Sequence, residues 1–176
     1  MANDAGPFRA AERGAVRVSL GPDERRALRE LVAGYRELLR GESQASDPAI
    51  ARLFPPAYPD DPLRNFDFDR GAHDGLMDQR LAAIDEVEQH TDAEVLSPER
   101  SRSWLGVLND LRLILGARLN ITEDTDEPTF RGDPAAAEAF GMYRWLTYLV
   151  GVLLEALDPT LAEIGADGPP PEPDPG

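Results

Sequence analysis

Two segments of this chain have almost no polar side. On a helical projection, residues 98–121 carry Trp104, Val107, Leu108, Leu111, Ile114 and Leu115 with Leu105, Leu113, Ala117 and Leu119 between them. Residues 135–157 carry Phe140, Met142, Trp145, Leu146, Leu149 and Leu153, again with apolar neighbours on most sides. A helix of this kind must be covered by other elements, so both belong in the middle of a domain. Each has a clear start. Ser97-Pro98-Glu99 supplies an N-cap hydroxyl, a proline at the first helical position and an acid next to it, and Asp133-Pro134 repeats the signal. Asp158-Pro159 stops the second segment. The most apolar window, Trp145–Leu154, is closed by Arg144 and Glu155 and is too short to cross a bilayer.

The covers are visible upstream. Leu28, Leu31, Val32, Tyr35, Leu38 and Leu39 form one stripe at a 3.6-residue period, behind Gly21-Pro22 and the acids Asp23 and Glu24. Gly41 is a natural stop. A second amphipathic helix is predicted from about Ala72 to His90, with Met77, Leu81, Ile84 and Val87 on its narrow apolar side. Between them, Asp47-Pro48 starts a short helix through Ile50 and Leu53, and the prolines from Pro55 to Pro62 hold residues 55–63 extended or turning. Near the N-terminus, Val16, Val18 and Leu20 alternate with polar residues, and Glu12-Arg13-Gly14 suits a turn, so a short hairpin is expected. The fold class read from these elements is mainly α: a bundle of four main helices with a short N-terminal β-hairpin or extended arm. A single helical domain covers 1–165, with the arm at 1–20, and a disordered, proline-rich acidic tail covers 166–176.

Charge narrows the function. The 176 residues hold 33 acids against 18 cations, all of them Arg, for a net charge of −15. A general nucleic-acid binder needs a basic surface, so autonomous nucleic-acid binding is not expected. Cysteine is absent, which excludes disulfides, a thiolate nucleophile and a thiol redox switch within the chain. The acids are uneven: residues 57–98 carry a net −8 and the last 19 residues a net −5, whereas residues 1–56 are close to neutral. The N-terminus lacks an apolar leader segment, so a cytoplasmic protein with no membrane segment is expected.

Candidate chemistry is sparse. Glu123-Asp124-Thr125-Asp126-Glu127 is acidic but lacks the glycine and glutamate positions of a calcium loop, and reads as a solvated loop. Glu86, His90 and Glu94 share a helix face at i, i+4, i+8 without a matching ligand set on a second helix, and read as an exposed helix end. Phosphate loops and nucleophile elbows are missing. No catalytic residues, metal or cofactor are therefore expected. The informative residues are polar ones inside the apolar helices: Asn109, Asp110, Arg118 and Arg144 form a candidate buried polar network, in which Asp110 is expected to pair with Arg144 or Arg118 and fix helix register. Arg25, Arg29 and Arg36, with Asp78, Asp85 and Glu86, form a candidate partner surface.

The run WLGVLNDLRLILGARLNI at Trp104–Ile121, followed by YRWLTYLVGVLLEAL at Tyr143–Leu157, resembles an actinobacterial family catalogued as domain of unknown function 2017 and linked to oxidative-stress regulators. The resemblance covers most of residues 8–160. It implies a cytoplasmic regulator acting through protein partners, a sigma factor at stress promoters among them; family members encoded near the Clp protease adaptor keep proteolysis in view. It also implies a redox cysteine pair, from which this cysteine-free chain departs. The resulting expectation is a non-enzymatic regulatory protein acting by protein–protein contact in transcription and stress response. Two alternatives stand beside it: a small-ligand binder or enzyme with a cleft between helices 98–121 and 135–157, and a structural homodimer.

Overall fold

The computed structural model describes residues 6–41, 47–54, 62–122, 125, 130 and 132–158, with the backbone alone for 48, 51, 52 and 62–74. Strands β1 (Phe8–Ala10) and β2 (Val16–Val18) are joined by a 3-10 turn at Glu12–Gly14. Helices α1 (Pro22–Arg40), α2 (Pro48–Leu53) and α3 (Pro62–His90) follow, then strand β3 (Val95–Leu96), α4 (Pro98–Arg118) and α5 (Pro134–Leu157). The protein is mainly α, as its sequence predicts, with four long helices. The expected hairpin is present but belongs to a three-stranded antiparallel sheet of order β1-β2-β3. β3 was not foreseeable by alternation, because two residues carry no period.

The sheet has one inner face. Phe8 pairs with Val18, and Val16 with Leu96, and all four side chains are buried. Arg9, Arg17 and Val95 take the opposite, exposed face. Arg13 and Gly14 turn the chain with φ of 59° and 75°, the left-handed region that glycine enters without steric cost. The two-stranded hairpin is marginal alone; here Phe8 meets the edge of the Trp104 ring, with centroids 6.2 Å apart, and the sheet is fastened to α4.

α4 is the axis of the molecule. It touches α1, α2, α3, α5 and β3. Trp104, Val107, Leu108, Leu111 and Ile114 are buried on it, as are Ser101 and Asp110. The Ser97 side chain accepts from Arg100 N and caps its start. It ends at Arg118, three residues earlier than predicted. Asn120 has φ 51°, and the Asn120 and Ile121 amides bond back to Ala117 and Gly116, a left-handed cap that satisfies the last carbonyls. α5 begins with the Asp133 carboxylate accepting from Ala135 and Ala136, and buries Phe140, Leu146, Leu149 and Leu153.

α1 follows its predicted stripe: Leu28, Val32, Tyr35 and Leu39 are buried, and Leu31 and Leu38 pack beside them. Glu24 accepts the Gly21 amide at 2.7 Å. Gly41 ends the helix in an extended conformation (φ −69°, ψ 151°), not the left-handed one a glycine stop suggests. α3 starts ten residues before the predicted Ala72, at Pro62. A proline in the first helical turn lacks only an amide that has no intrahelical acceptor, so it opens this helix where an extended segment had been expected. Among the described residues, no helix is long and apolar enough to cross a membrane. The predicted tail at 166–176 and most of the acidic loop at 123–127 lie outside the described residues.

Candidate functional site

Asp110 sits on the buried side of α4, where desolvation of its charge must be offset. Two groups from other helices do so. The Tyr35 hydroxyl on α1 donates to Asp110 Oδ2 at 2.8 Å. Arg80 on α3 places Nε 3.1 Å from Oδ2, an ion-pair contact without hydrogen-bond alignment, and donates from a terminal nitrogen to Oδ1 at 3.3 Å. The same nitrogen donates to the Leu53 carbonyl at the end of α2, at 3.1 Å, while the guanidinium lies 4.9 Å from the centre of the Phe54 ring. One carboxylate thus ties α1, α3 and α4 together, and its arginine adds α2. Burial raises the Asp110 pKa above the usual carboxylate value, against the opposing pulls of Arg80 and the Tyr35 hydroxyl. Burial foremost, then the Asp110 charge, raises the Tyr35 phenol far above its ordinary value.

This corrects the pairing expected from sequence. Asp110 pairs with neither Arg118 nor Arg144. Arg118, at the last turn of α4, is half exposed and reaches Asp47 at 3.6 Å. Arg144 is on the exposed side of α5. Asn109 accepts from Arg112 at 2.8 Å within α4. The four residues therefore do not line one cleft between α4 and α5, and those helices approach closely there: a Cβ on Gly116 would lie 3.3 Å from Tyr143 Cε2. Tyr35 and Arg80 were missed by sequence reasoning. Arg80 did leave a signal, as the only cation between residues 72 and 98.

The second charged assembly is the seam between α1 and α3. Arg36 grips Glu88 through Nε and a terminal nitrogen, at 3.1 and 2.7 Å, and also reaches Asp85. Arg29 pairs with Asp92. Arg25 donates to the Leu20 carbonyl at 3.0 Å and to the Thr91 and Ala93 carbonyls just past the end of α3. Glu86 is held by Arg100 at 2.7 Å and lies 3.1 Å from His90 Nδ1. Of the residues singled out as a partner surface, Arg25, Arg29, Arg36, Asp85 and Glu86 thus make contacts within the chain; Asp78 is exposed on α3. Sequence spacing shows that such charges exist but not that the bundle brings two of the rows face to face.

Hollows border α4 on two sides. A groove of about 620 Å³ runs between α3 and the start of α4, with Ala82, Ala83 and Ser103 among its small lining residues and Glu86, Glu99 and Arg100 on its walls. It shares Gln79 and Ala83 with a smaller recess of about 210 Å³ that reaches Arg80 and Asp110. On the other side, Leu31, Leu38, Leu111, Ile114 and Leu115 line a pocket of about 150 Å³ between α1 and α4. Among the described residues, no three His, Asp or Glu side chains gather as a metal site. The α3–α4 groove is open, with small side chains in its lining and hydrogen-bonding and charged groups along its sides.

Comparison with known proteins gives this geometry a context. A family described as domain of unknown function (DUF2017) matches residues 5–157. The oxidative stress regulator AosR of Mycobacterium tuberculosis strain H37Rv is 34% identical over 131 residues, which cover 61% of this chain and 59% of the regulator. The Mycobacterium bovis protein of that name gives the same values. A Mycobacterium leprae protein given the same regulator's name is 29% identical over 146 residues, covering 73% of this chain and 65% of its own. The chain therefore spans less than two thirds of the length of these relatives. No solved structure matches it.

Proposed function

The chain belongs to the DUF2017 family, and from that premise we propose that it is a cytoplasmic stress-response regulator that acts by binding another protein and not by catalysis, with a sigma factor as the first partner to test. The observation that carries the reading is the 34% identity to proteins named oxidative stress regulators. Two physical features support contact over chemistry. The buried charges are consumed in holding helices together, and a hollow of about 620 Å³ between α3 and α4 is an open groove with small side chains in its lining.

The absence of cysteine shapes the mechanism. Oxidants signal through proteins chiefly by converting thiolates to sulfenic acids or disulfides. This chain has no thiol to oxidise, so an oxidative signal reaches it through its partner. Its own part is to present a surface whose occupancy the partner's state changes. The acids concentrated between residues 57 and 98 favour a partner with a basic face, by steering its approach.

The test has two arms. A strain lacking the gene is challenged with hydrogen peroxide, and its transcripts are compared with those of the parent. The purified full chain is titrated against purified sigma factors from the same strain. Ala82→Arg, which places a long cation on the exposed lining of the groove, is expected to weaken binding without unfolding the chain. A strain indifferent to peroxide, together with no sigma factor bound at tens of micromolar protein, would remove the proposal.

A further inference from the structure

We infer that the pocket between α1 and α4 is a binding site for a small aliphatic monocarboxylate, a short alkyl chain with one carboxylate head. The pocket lies on the other side of α4 from the α3–α4 groove and does not depend on the reading given to that groove. Its walls are mostly carbon: Leu31 and Leu38 from α1, Leu111, Ile114 and Leu115 from α4, and the Tyr35 ring, whose hydroxyl is already given to Asp110. About 150 Å³ of space is left between them. A cavity of roughly that size with leucine and isoleucine walls stays dry and takes up an apolar molecule as large as benzene. Gly34 is the opening. It stands exposed in the middle of α1, where glycine weakens a helix relative to alanine, and it lines the pocket. Nothing lies within 4 Å of where its Cβ would stand, so close packing does not account for it. What the missing side chain does is leave the pocket open to solvent.

Charge selects the ligand and its direction. α1 and α4 both leave the same sheet, and Tyr35 meets Asp110 at nearly equal depth along them, so the two helices run parallel. Glu30 therefore lines the end nearer the sheet and Arg118 the far end, with walls that extend about 10 Å from Leu31 to Leu38. The Arg118 side chain is 52% exposed, and its contact with Asp47 is 3.6 Å, too long for a hydrogen bond. Its planar fork of donors is thus open to a carboxylate, the group it matches best. Glu30 repels a carboxylate at the other end. The head group accordingly sits on Arg118 and the chain runs along the leucines, where removal of its methylenes from water supplies the affinity. A second carboxylate at the tail would meet Glu30, and an ammonium head would meet Arg118, so neither a diacid nor an amine of the same length fits.

The test is a titration of the isotope-labelled full chain, followed by amide NMR, with butyrate, hexanoate, adipate and hexylamine up to tens of millimolar. Hexanoate is expected to shift the amides of residues 31–38 and 111–118 saturably, and to bind more tightly than butyrate by about fourfold for each added methylene. Adipate and hexylamine are expected to bind at least about tenfold more weakly than hexanoate. Arg118→Gln removes the partner of the head group and is expected to weaken hexanoate about fivefold or more, and to erase its advantage over hexylamine. Gly34→Leu builds a side chain into the opening with a better helix former, and is expected to abolish the saturable shifts while circular dichroism shows the helix content kept. Hexanoate that gives no saturable shift, or shifts only amides elsewhere, would overturn the inference. So would adipate or hexylamine binding as well as hexanoate, or Arg118→Gln binding hexanoate like the wild type.

Discussion

The Tyr35 hydroxyl donates to Asp110 Oδ2 at 2.8 Å across 75 positions of sequence, and Arg80 closes on the same carboxylate from α3. Hydrophobic contact alone lets helices slide by a turn at modest cost. A buried carboxylate with two partners on two other helices does not, because a slip leaves all three groups desolvated and unpaired. Asp110→Ala is therefore expected to lower stability by about 3–5 kcal/mol, and Tyr35→Phe by about 1–2 kcal/mol. Arg80→Met combined with Asp110→Leu is expected to lose less than the sum of the single changes, because no charge is then left behind. Urea denaturation of Arg80→Met alone, Asp110→Leu alone and the double decides the pairing, with Asp110→Ala and Tyr35→Phe measured alongside; additive losses would mean that the two charges do not act as a pair.

The position of Asp110 was legible in the sequence, and its partners were not. A lone acid in a helix with no polar face had to be paired, and that much follows from the cost of a buried charge. Arg118 and Arg144, on the same two apolar helices, were the partners expected. The arginine that answers is on α3, where it passes for one more surface charge in an acidic helix. Which helix faces which is decided by packing, and spacing along one helix does not encode it. The same reason hid the α1–α3 seam: Arg36 and Glu88 each look solvated until α1 and α3 are laid side by side. The long helices themselves were readable, because caps at Ser97 and Asp133 and apolar periods are local. The start of α3 was misread because the prolines before it favour extended backbone, while the last of them also opens a helix.

The titration of Asp110 has a definite sign. Its folded-state pKa lies above the usual carboxylate value, so over the interval between the two values the folded protein holds a proton that the unfolded chain has released. Stability contributed by this group is then greatest at low pH and declines as pH rises through that interval, levelling off once the folded-state carboxyl has ionised. Asp110→Asn removes the titration and leaves the other acids in place. Plotted from pH 3 to pH 7, the stability of the wild type minus that of Asp110→Asn is expected to fall with rising pH. A difference that rises across the acidic range would show that the pull of Arg80 outweighs burial at this site.

Arg36 and Arg26 make a matched pair for separating a structural charge from a superficial one. Arg36 has a side chain only 16% exposed and holds Glu88 through two nitrogens on a different helix. Arg26 reaches Asp23 three residues back along its own helix, with both side chains largely in solvent. A two-nitrogen grip between helices restricts their relative motion, whereas an exposed local pair is mostly screened and costs side-chain entropy. Arg36→Ala is expected to lower stability by about 1–2 kcal/mol, and Arg26→Ala to change it by less than about 0.5 kcal/mol. Thermal melts in low and high salt check this. Equal effects for the two would mean that the α1–α3 seam contributes no more than surface charge.

Trp104 is the largest fully buried side chain among the described residues, and its indole N–H finds no acceptor among them. The ring fills the space between α4 and the sheet, where it meets Phe8 edge-on. Its bulk stabilises the fold while its buried donor detracts from it. Trp104→Ala removes the bulk and is expected to cost about 3–5 kcal/mol, with the sheet loosened from α4. Trp104→Phe keeps an aromatic ring against Phe8 and removes the unpaired donor, so its cavity cost is partly offset and the loss is expected to stay near 1–2 kcal/mol. Amide exchange at Val16 and Val18 is the sensitive readout, because their amides belong to the strand that the indole helps to fasten. A Trp104→Phe variant as unstable as Trp104→Ala, with equally fast exchange in β2, would show that the N–H has an acceptor and contributes to holding the sheet.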